Sequence, residues 1–260
     1  MEMTVQGLDT HYEIVGDGPE TVLLLHGWGV DSSWMNGVAA RLKKYYRVVS
    51  VDFPAHGQTQ EPKDTVGVPE YAQWTQEFMR LNNIQNAHVV AHSFGGRVAL
   101  YLVAHHPQLI NKLVLTGSAG LTKPKTFKAT LKKLRYRLGR TFLKVLTFIP
   151  YLKPYAKKWL ENYRNRHNSK DYQALDEGMR KTFQKIISFD SREFLSKIKH
   201  KTLLVWGEQD TETPLWMAKE LKEKIAGSRL SVIPGGHFAF MQYPDPFCDL
   251  VLDFLEETEQ

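Results

Sequence analysis

Six short apolar runs constrain this chain most: "TVLLLHG" (21–27), "YRVVSVD" (46–52), "NAHVVAHS" (86–93), "NKLVLTGS" (111–118), "KTLLVWGEQD" (201–210) and "RLSVIPGGH" (229–237). Each is too short for a helix, rich in Val and Leu, and bounded by Gly or polar residues. Runs of this kind read as strands buried on both faces, as in a parallel sheet. The preceding "MTVQGLDTHYEIVGDGP" reads as two edge strands with a Gly-Asp-Gly-Pro turn. Helical spacing fills the gaps. Tyr71, Trp74, Phe78 and Leu81 follow i, i+3, i+7, i+10, and Val98, Tyr101, Leu102 and His105 follow i, i+3, i+4, i+7 before Pro107. Phe247, Leu250, Val251, Phe254 and Leu255 mark a C-terminal helix opened by Pro244 and Pro246. Strands alternating with helices give an α/β fold with a mostly parallel central sheet and right-handed crossovers. In such sheets ligands bind at the carboxyl ends of the strands.

The alternation stops after the sixth strand. From 121 to 190 no strand is legible. Phe127, Leu131, Leu134, Leu138, Phe142 and Val145 form a helical stripe; Tyr155, Trp159 and Tyr163 form another; Tyr172, Leu175, Met179 and Phe183 form a third. Pro150 and Pro154 separate the first two. The reading is a core of 1–120 and 191–260 with an all-helical insertion at 121–190. Charge marks the same segment. Residues 121–181 hold 17 Lys+Arg and 4 Asp+Glu, whereas the rest of the chain is net acidic, within an overall charge of +6.

The residues after each run carry the chemistry: His26-Gly27-Trp28-Gly29, Asp52-Phe53-Pro54-Ala55-His56-Gly57, Ser93-Phe94-Gly95-Gly96, Gly207-Glu208-Gln209-Asp210 and Gly235-Gly236-His237. They place a Ser, then an acid, then a His at one sheet edge. Acyl transfer needs that set. A serine hydroxyl is a weak nucleophile until a base takes its proton; an acid must hold the base in one tautomer; the developing oxyanion needs donors.

These motifs ("HGWG", "DFPAHGQT", "AHSFGG", "GEQD" and "GGHF") resemble those of the α/β-hydrolase superfamily, in its capped esterase-like branch, over everything but the insertion. The resemblance implies Ser93 as nucleophile, His237 as general base and Asp210 as the acid that orients it. It implies an oxyanion hole made by the backbone N–H groups of Trp28 and Phe94, and a cap formed by 121–190. No cofactor is implied. Ala91 stands where the family's elbow usually has Gly, a change of one methyl. Serine at the elbow argues against the haloalkane dehalogenase and epoxide hydrolase branches, which use Asp there. Ester, thioester, lactone or C–C bond hydrolysis remain, with a carboxylic ester expected. Two alternatives stand beside it. "SFGGRVAL", with Arg97, also resembles the menaquinone-pathway lyase of this superfamily, which acts on a polyanionic substrate. A non-catalytic ligand-binding protein of the same fold is the other, and its mark would be a broken triad.

Glu208 competes with Asp210 for the acid role, and Asp52 is a further rival whose alternative is to brace its own turn. His26 and Arg97 are candidate substrate-binding residues, although His26 and His92 also read as structural hydrogen-bonding groups. His26, His56 and His92 are too dispersed for a zinc spacing, so no metal is expected. No dinucleotide fingerprint follows a strand, and no nucleic-acid-binding motif accompanies the basic segment. Three readings of the basic amphipathic stretch 125–146 stay open: a solvated cap helix, weak contact with an anionic membrane surface, or recognition of an acidic small substrate. The single cysteine, Cys248, excludes an internal disulfide and reads as a core residue. "MEMTVQGLDT" has neither the basic nor the apolar region of a signal peptide, so a cytoplasmic location is expected.

Overall fold

The computed structural model describes residues 1–123, 127–165, 175 and 177–257. Its strands are β1 (Glu2–Val5), β2 (Leu8–Val15), β3 (Thr21–Leu25), β4 (Arg47–Val51), β5 (Ala87–His92), β6 (Ile110–Thr116), β7 (Thr202–Gly207) and β8 (Ser228–Ile233). They form one sheet of order β1-β2-β4-β3-β5-β6-β7-β8. β2 is antiparallel to both neighbours, and the other pairs are parallel. The edge hairpin turns at Gln6-Gly7, where φ is 49° and 79°. Two successive positive φ values suit a tight hairpin between twisted strands. Gly16–Pro19 instead leads from β2 to β3.

The helices are α1 (Asn36–Leu42), α2 (Val68–Leu81), α3 (Phe94–His105), α4 (Phe127–Leu146), α5 (Lys153–Asn165), α6 (Glu177–Ser188), α7 (Leu215–Lys224), α8 (Ala239–Gln242) and α9 (Pro244–Glu256). The two-residue period of each strand sorts its side chains into two cores. Leu23, Val49, Val89, Leu113, Leu115, Leu204 and Trp206 bury against α2, α3 and α7. Val22, Val48, Val90, Val114, Leu203 and Val205 bury against α1, α8 and α9, with Cys248 among them. Because both faces are covered, the central strands read as unbroken apolar runs.

Lys112 of β6 fixes the C-terminal helix to the sheet. It is buried, and its Nζ donates to the carbonyls of Phe254 (3.2 Å), Leu255 (2.7 Å) and Glu257 (2.6 Å). A cation there satisfies carbonyls that a helix end leaves unpaired. Lys112→Met keeps most of the stem but strands those acceptors. It should destabilise the fold by about 2–4 kcal/mol, read as a lower urea midpoint; a loss below about 1 kcal/mol would contradict this role.

Two compact units divide the chain: Met1–Leu121 with Lys185–Gln260, and Thr122–Gln184. The first takes in 185–190, which the sequence reading grouped with the insertion. Ile186 is buried in its core, Lys185 pairs with Glu70, and the Ser191 N–H donates to the Gly120 carbonyl. In the second unit α4 packs on α5, and Ala156 and Leu160 are buried. The stripe Leu131, Leu138, Phe142, Val145 is exposed, while Tyr136, Leu143 and Leu146 are half-buried. Tyr172, where the third helical stripe was read to begin, lies outside the described residues.

Candidate active site

β5 ends at His92 and α3 begins at Phe94, so Ser93 is the single residue of the turn. Its φ of 50° and ψ of −111° lie in a region that a side-chain-bearing residue holds only when its surroundings enforce it. Three backbone hydrogen bonds do so: Ser93 N–H to Thr116 carbonyl (3.2 Å), Ala119 N–H to Ser93 carbonyl (2.9 Å) and Gly95 N–H to His26 carbonyl (3.0 Å). A Cβ at Gly95 would lie 2.4 Å from the Leu25 carbonyl oxygen, and one at Gly96 2.1 Å from Ser118 Oγ. Both glycines are therefore needed for close approach of α3. Ala91 sits in β5 in extended backbone, fully buried between Leu25 and Leu115 of the neighbouring strands, and its methyl is accommodated.

The three residues read as a triad converge. Ser93 Oγ lies 3.0 Å from His237 Nε2, and His237 Nδ1 lies 2.9 Å from Asp210 Oδ2. Glu208 is exposed, whereas Asp210 is buried. Burial alone would raise the Asp210 pKa. The hydrogen bond and charge of His237, with the bonds from Thr213, outweigh it, and the carboxyl titrates below its ordinary range. Asp210 Oδ1 accepts the N–H groups of Glu212 and Thr213, both at 2.9 Å. The Thr213 hydroxyl lies 2.7 Å from Asp210 Oδ2, 2.9 Å from the Gly117 carbonyl and 3.3 Å from His237 Nδ1. Sequence reasoning missed Thr213. Asp210 closing onto the backbone that follows it is an ordinary turn, and nothing in that pattern singles out the Thr213 hydroxyl. Glu212 was missed too; its exposed carboxylate lies 3.7 Å from His237 Nε2.

Two buried histidines hold the site's backbone. His26 Nδ1–H donates to the Gly27 carbonyl (2.7 Å), and Nε2 accepts the Phe53 N–H (2.9 Å). This fixes the start of the Gly27-Trp28 loop, and the Trp28 ring meets the Phe94 ring edge-on at 5.4 Å. Neither His26 nitrogen is left for a substrate, against the substrate-binding role read for it. His92 Nε2–H donates to the His237 carbonyl (3.0 Å) behind the His237 ring. Burial, then the charges of His56 (for His26) and His237 (for His92), push both pKa values down to about 3. Their unfolded value is near 6.5, so between those limits the unfolded chain binds the extra protons. The stability is full above pH 6.5 and is lost as pH falls, by about 1.4 kcal/mol per pH unit per histidine. The urea midpoint should drop clearly from pH 7 to pH 5; an unchanged midpoint would contradict two neutral buried rings.

Arg97 also departs from its expected part. It is buried on α3, its guanidinium donates to the Ile186 carbonyl, and burial pushes its pKa down to about 10 despite the charge of Asp190. Asp52 accepts the N–H groups of Ser32 (2.8 Å) and Gln58 (2.9 Å), bracing its own turn.

A family model described as the alpha/beta hydrolase fold matches residues 20–147. The chain is 28% identical over 263 residues to the 2-hydroxy-6-oxo-6-(2'-aminophenyl)hexa-2,4-dienoic acid hydrolase of Metapseudomonas resinovorans, covering 96% of this chain and 88% of that protein. It is 25% identical over 257 residues to the pimeloyl-[acyl-carrier protein] methyl ester esterase of Vibrio vulnificus, covering 95% and 98%. It shares its fold with the enol-lactonase of Burkholderia xenovorans LB400, with a TM-score of 0.76 at 24% identity over 99% and 100% of the two chains. The chain has the α/β-hydrolase fold, and its relatives support membership of that superfamily and an enzyme of that class. No helix among the described residues is long and apolar enough to cross a membrane.

Proposed function

We propose that the chain is a serine hydrolase that cleaves a small carboxylic ester through an acyl-enzyme, without a cofactor. The carrying observation is the unbroken hydrogen-bonded line from Ser93 Oγ through His237 to Asp210. Ser93 Oγ attacks the acyl carbonyl while its proton passes to His237 Nε2. Asp210 stabilises the imidazolium. The tetrahedral oxyanion is received by the backbone N–H groups of Trp28 and Phe94. Phe94 opens α3, so its N–H belongs to the first turn, where donors have no intrahelical acceptor. The tetrahedral intermediate collapses, the C–O bond breaks, and His237 returns its proton to the leaving alcohol. Water, deprotonated by the same nitrogen, then releases the acid and restores Ser93.

A second reading is hydrolysis of a C–C bond, favoured by the Metapseudomonas relative named above. The lyase reading loses support because Arg97 is buried and donates to the Ile186 carbonyl, and the non-catalytic reading because the triad is complete. The deciding experiment is a panel of p-nitrophenyl esters of increasing acyl length, run beside a ring-fission dienoate. Ester turnover with kcat on the order of 1–10³ s⁻¹ is expected for at least one chain length. Turnover of the dienoate alone would move the assignment to C–C cleavage, and no turnover of either by folded protein would overturn both.

A further inference from the structure

α4 carries seven Lys or Arg residues and no Asp or Glu, and residues 127–165 together carry eleven basic residues against the single acid Glu161. Scattered exposed apolar side chains are ordinary on a protein surface, whereas a contiguous patch marks a contact. Among the described residues sixteen large hydrophobic side chains are exposed, and nine of them fall between Leu131 and Trp159. Leu131, Leu138, Phe142 and Val145 occupy an arc of roughly 60° on α4, at 100° per residue. The connection to α5 adds Phe148, 78% exposed, and Tyr151, 90% exposed. Tyr155 and Trp159 are exposed on α5, with ring centroids 6.4 Å apart. Arg135, Arg137, Arg140, Lys144, Lys153, Lys157 and Lys158 are exposed on the same two helices.

We propose that this helical pair docks the protein on an anionic lipid surface. The α4 stripe and the 148–151 tip enter the headgroup layer, Tyr151 and Trp159 sit at the interface, and the flanking cations meet lipid phosphates. Charge selects this occupant. A second copy would bring two strongly cationic surfaces together. A nucleic acid would use the cations but leave Leu138, Phe142 and Phe148 in water. An anionic bilayer satisfies both parts at once. The inference rests on the helical unit alone and is separate from the esterase reading.

Vesicle flotation tests it, with equimolar phosphatidylglycerol and phosphatidylcholine against phosphatidylcholine alone. The wild-type protein should float with the anionic vesicles at least tenfold more strongly than with neutral ones. Raising salt from about 0.1 M to about 1 M shortens the screening length from ~10 Å to ~3 Å and should release it. Phe148→Ser with Tyr151→Ser, and Lys144→Glu with Lys153→Glu, should each weaken flotation at least tenfold while leaving the melting temperature and soluble-ester rate unchanged. Equal binding to both vesicles, no binding, or a lipid-free dimer that the Phe148/Tyr151 variant abolishes would overturn the proposal. Flotation by a protein that turns over no substrate would keep the docking and sink the hydrolase reading.

Discussion

Ser93→Ala should lower kcat on the best p-nitrophenyl ester by about 10⁴–10⁶-fold, or roughly 5–8 kcal/mol of barrier. The hydroxyl oxygen is the only heavy atom lost. His237 and Asp210 keep their 2.9 Å bond, so the melting temperature should stay near that of wild type. His237→Ala should cost about as much, and the double variant should be little worse than either. The reason is that base and nucleophile act as one unit: without a base the serine stays protonated, and without the serine the base has nothing to activate. Additive losses would mean that the two residues act in separate steps, contrary to the 3.0 Å contact between them. A loss below about tenfold in Ser93→Ala would place the nucleophile elsewhere.

Asp210→Asn is expected to cost about 10⁴-fold, for a reason legible in the hydrogen bonds. Oδ1 accepts two backbone N–H groups, from Glu212 and Thr213. An amide at position 210 therefore keeps its oxygen there and turns its NH2 toward Thr213 Oγ1 and His237 Nδ1. A donor facing Nδ1 requires that nitrogen to be bare, which puts the imidazole proton on Nε2, against Ser93. In that tautomer the ring cannot take the serine proton. The nitrogen shifts of His237 should report a protonated Nε2 in Asp210→Asn and a protonated Nδ1 in wild type at neutral pH. Near-normal activity with the ring in its original tautomer would show that the acid serves only to pack.

The strands and the order of the site were readable because each rests on a local signal. β3 to β7 are covered on both faces, so burial writes itself as short unbroken apolar runs. The site residues follow directly on those runs. What was not readable depends on the third dimension. α1 has seven residues and α7 ten, too few turns for a periodic stripe to stand out. The period of α4 gives a stripe but not the side to which it turns; the half-buried side holds Tyr136, Leu143 and Leu146. Arg97 looked like a substrate ligand because its neighbours match a motif. Only the folded chain brings Ile186, far along the sequence, to its guanidinium. His26 was ambiguous for the same reason, since its two partners lie on loops after different strands.

The most direct test of the central claim is peptide mapping by mass spectrometry after reaction with a fluorophosphonate. A single stoichiometric adduct should sit on Ser93, be absent in Ser93→Ala, and form far more slowly in His237→Ala. An adduct on another residue, or labelling that survives Ser93→Ala, would contradict the assignment of Ser93 as the nucleophile of this hydrolase.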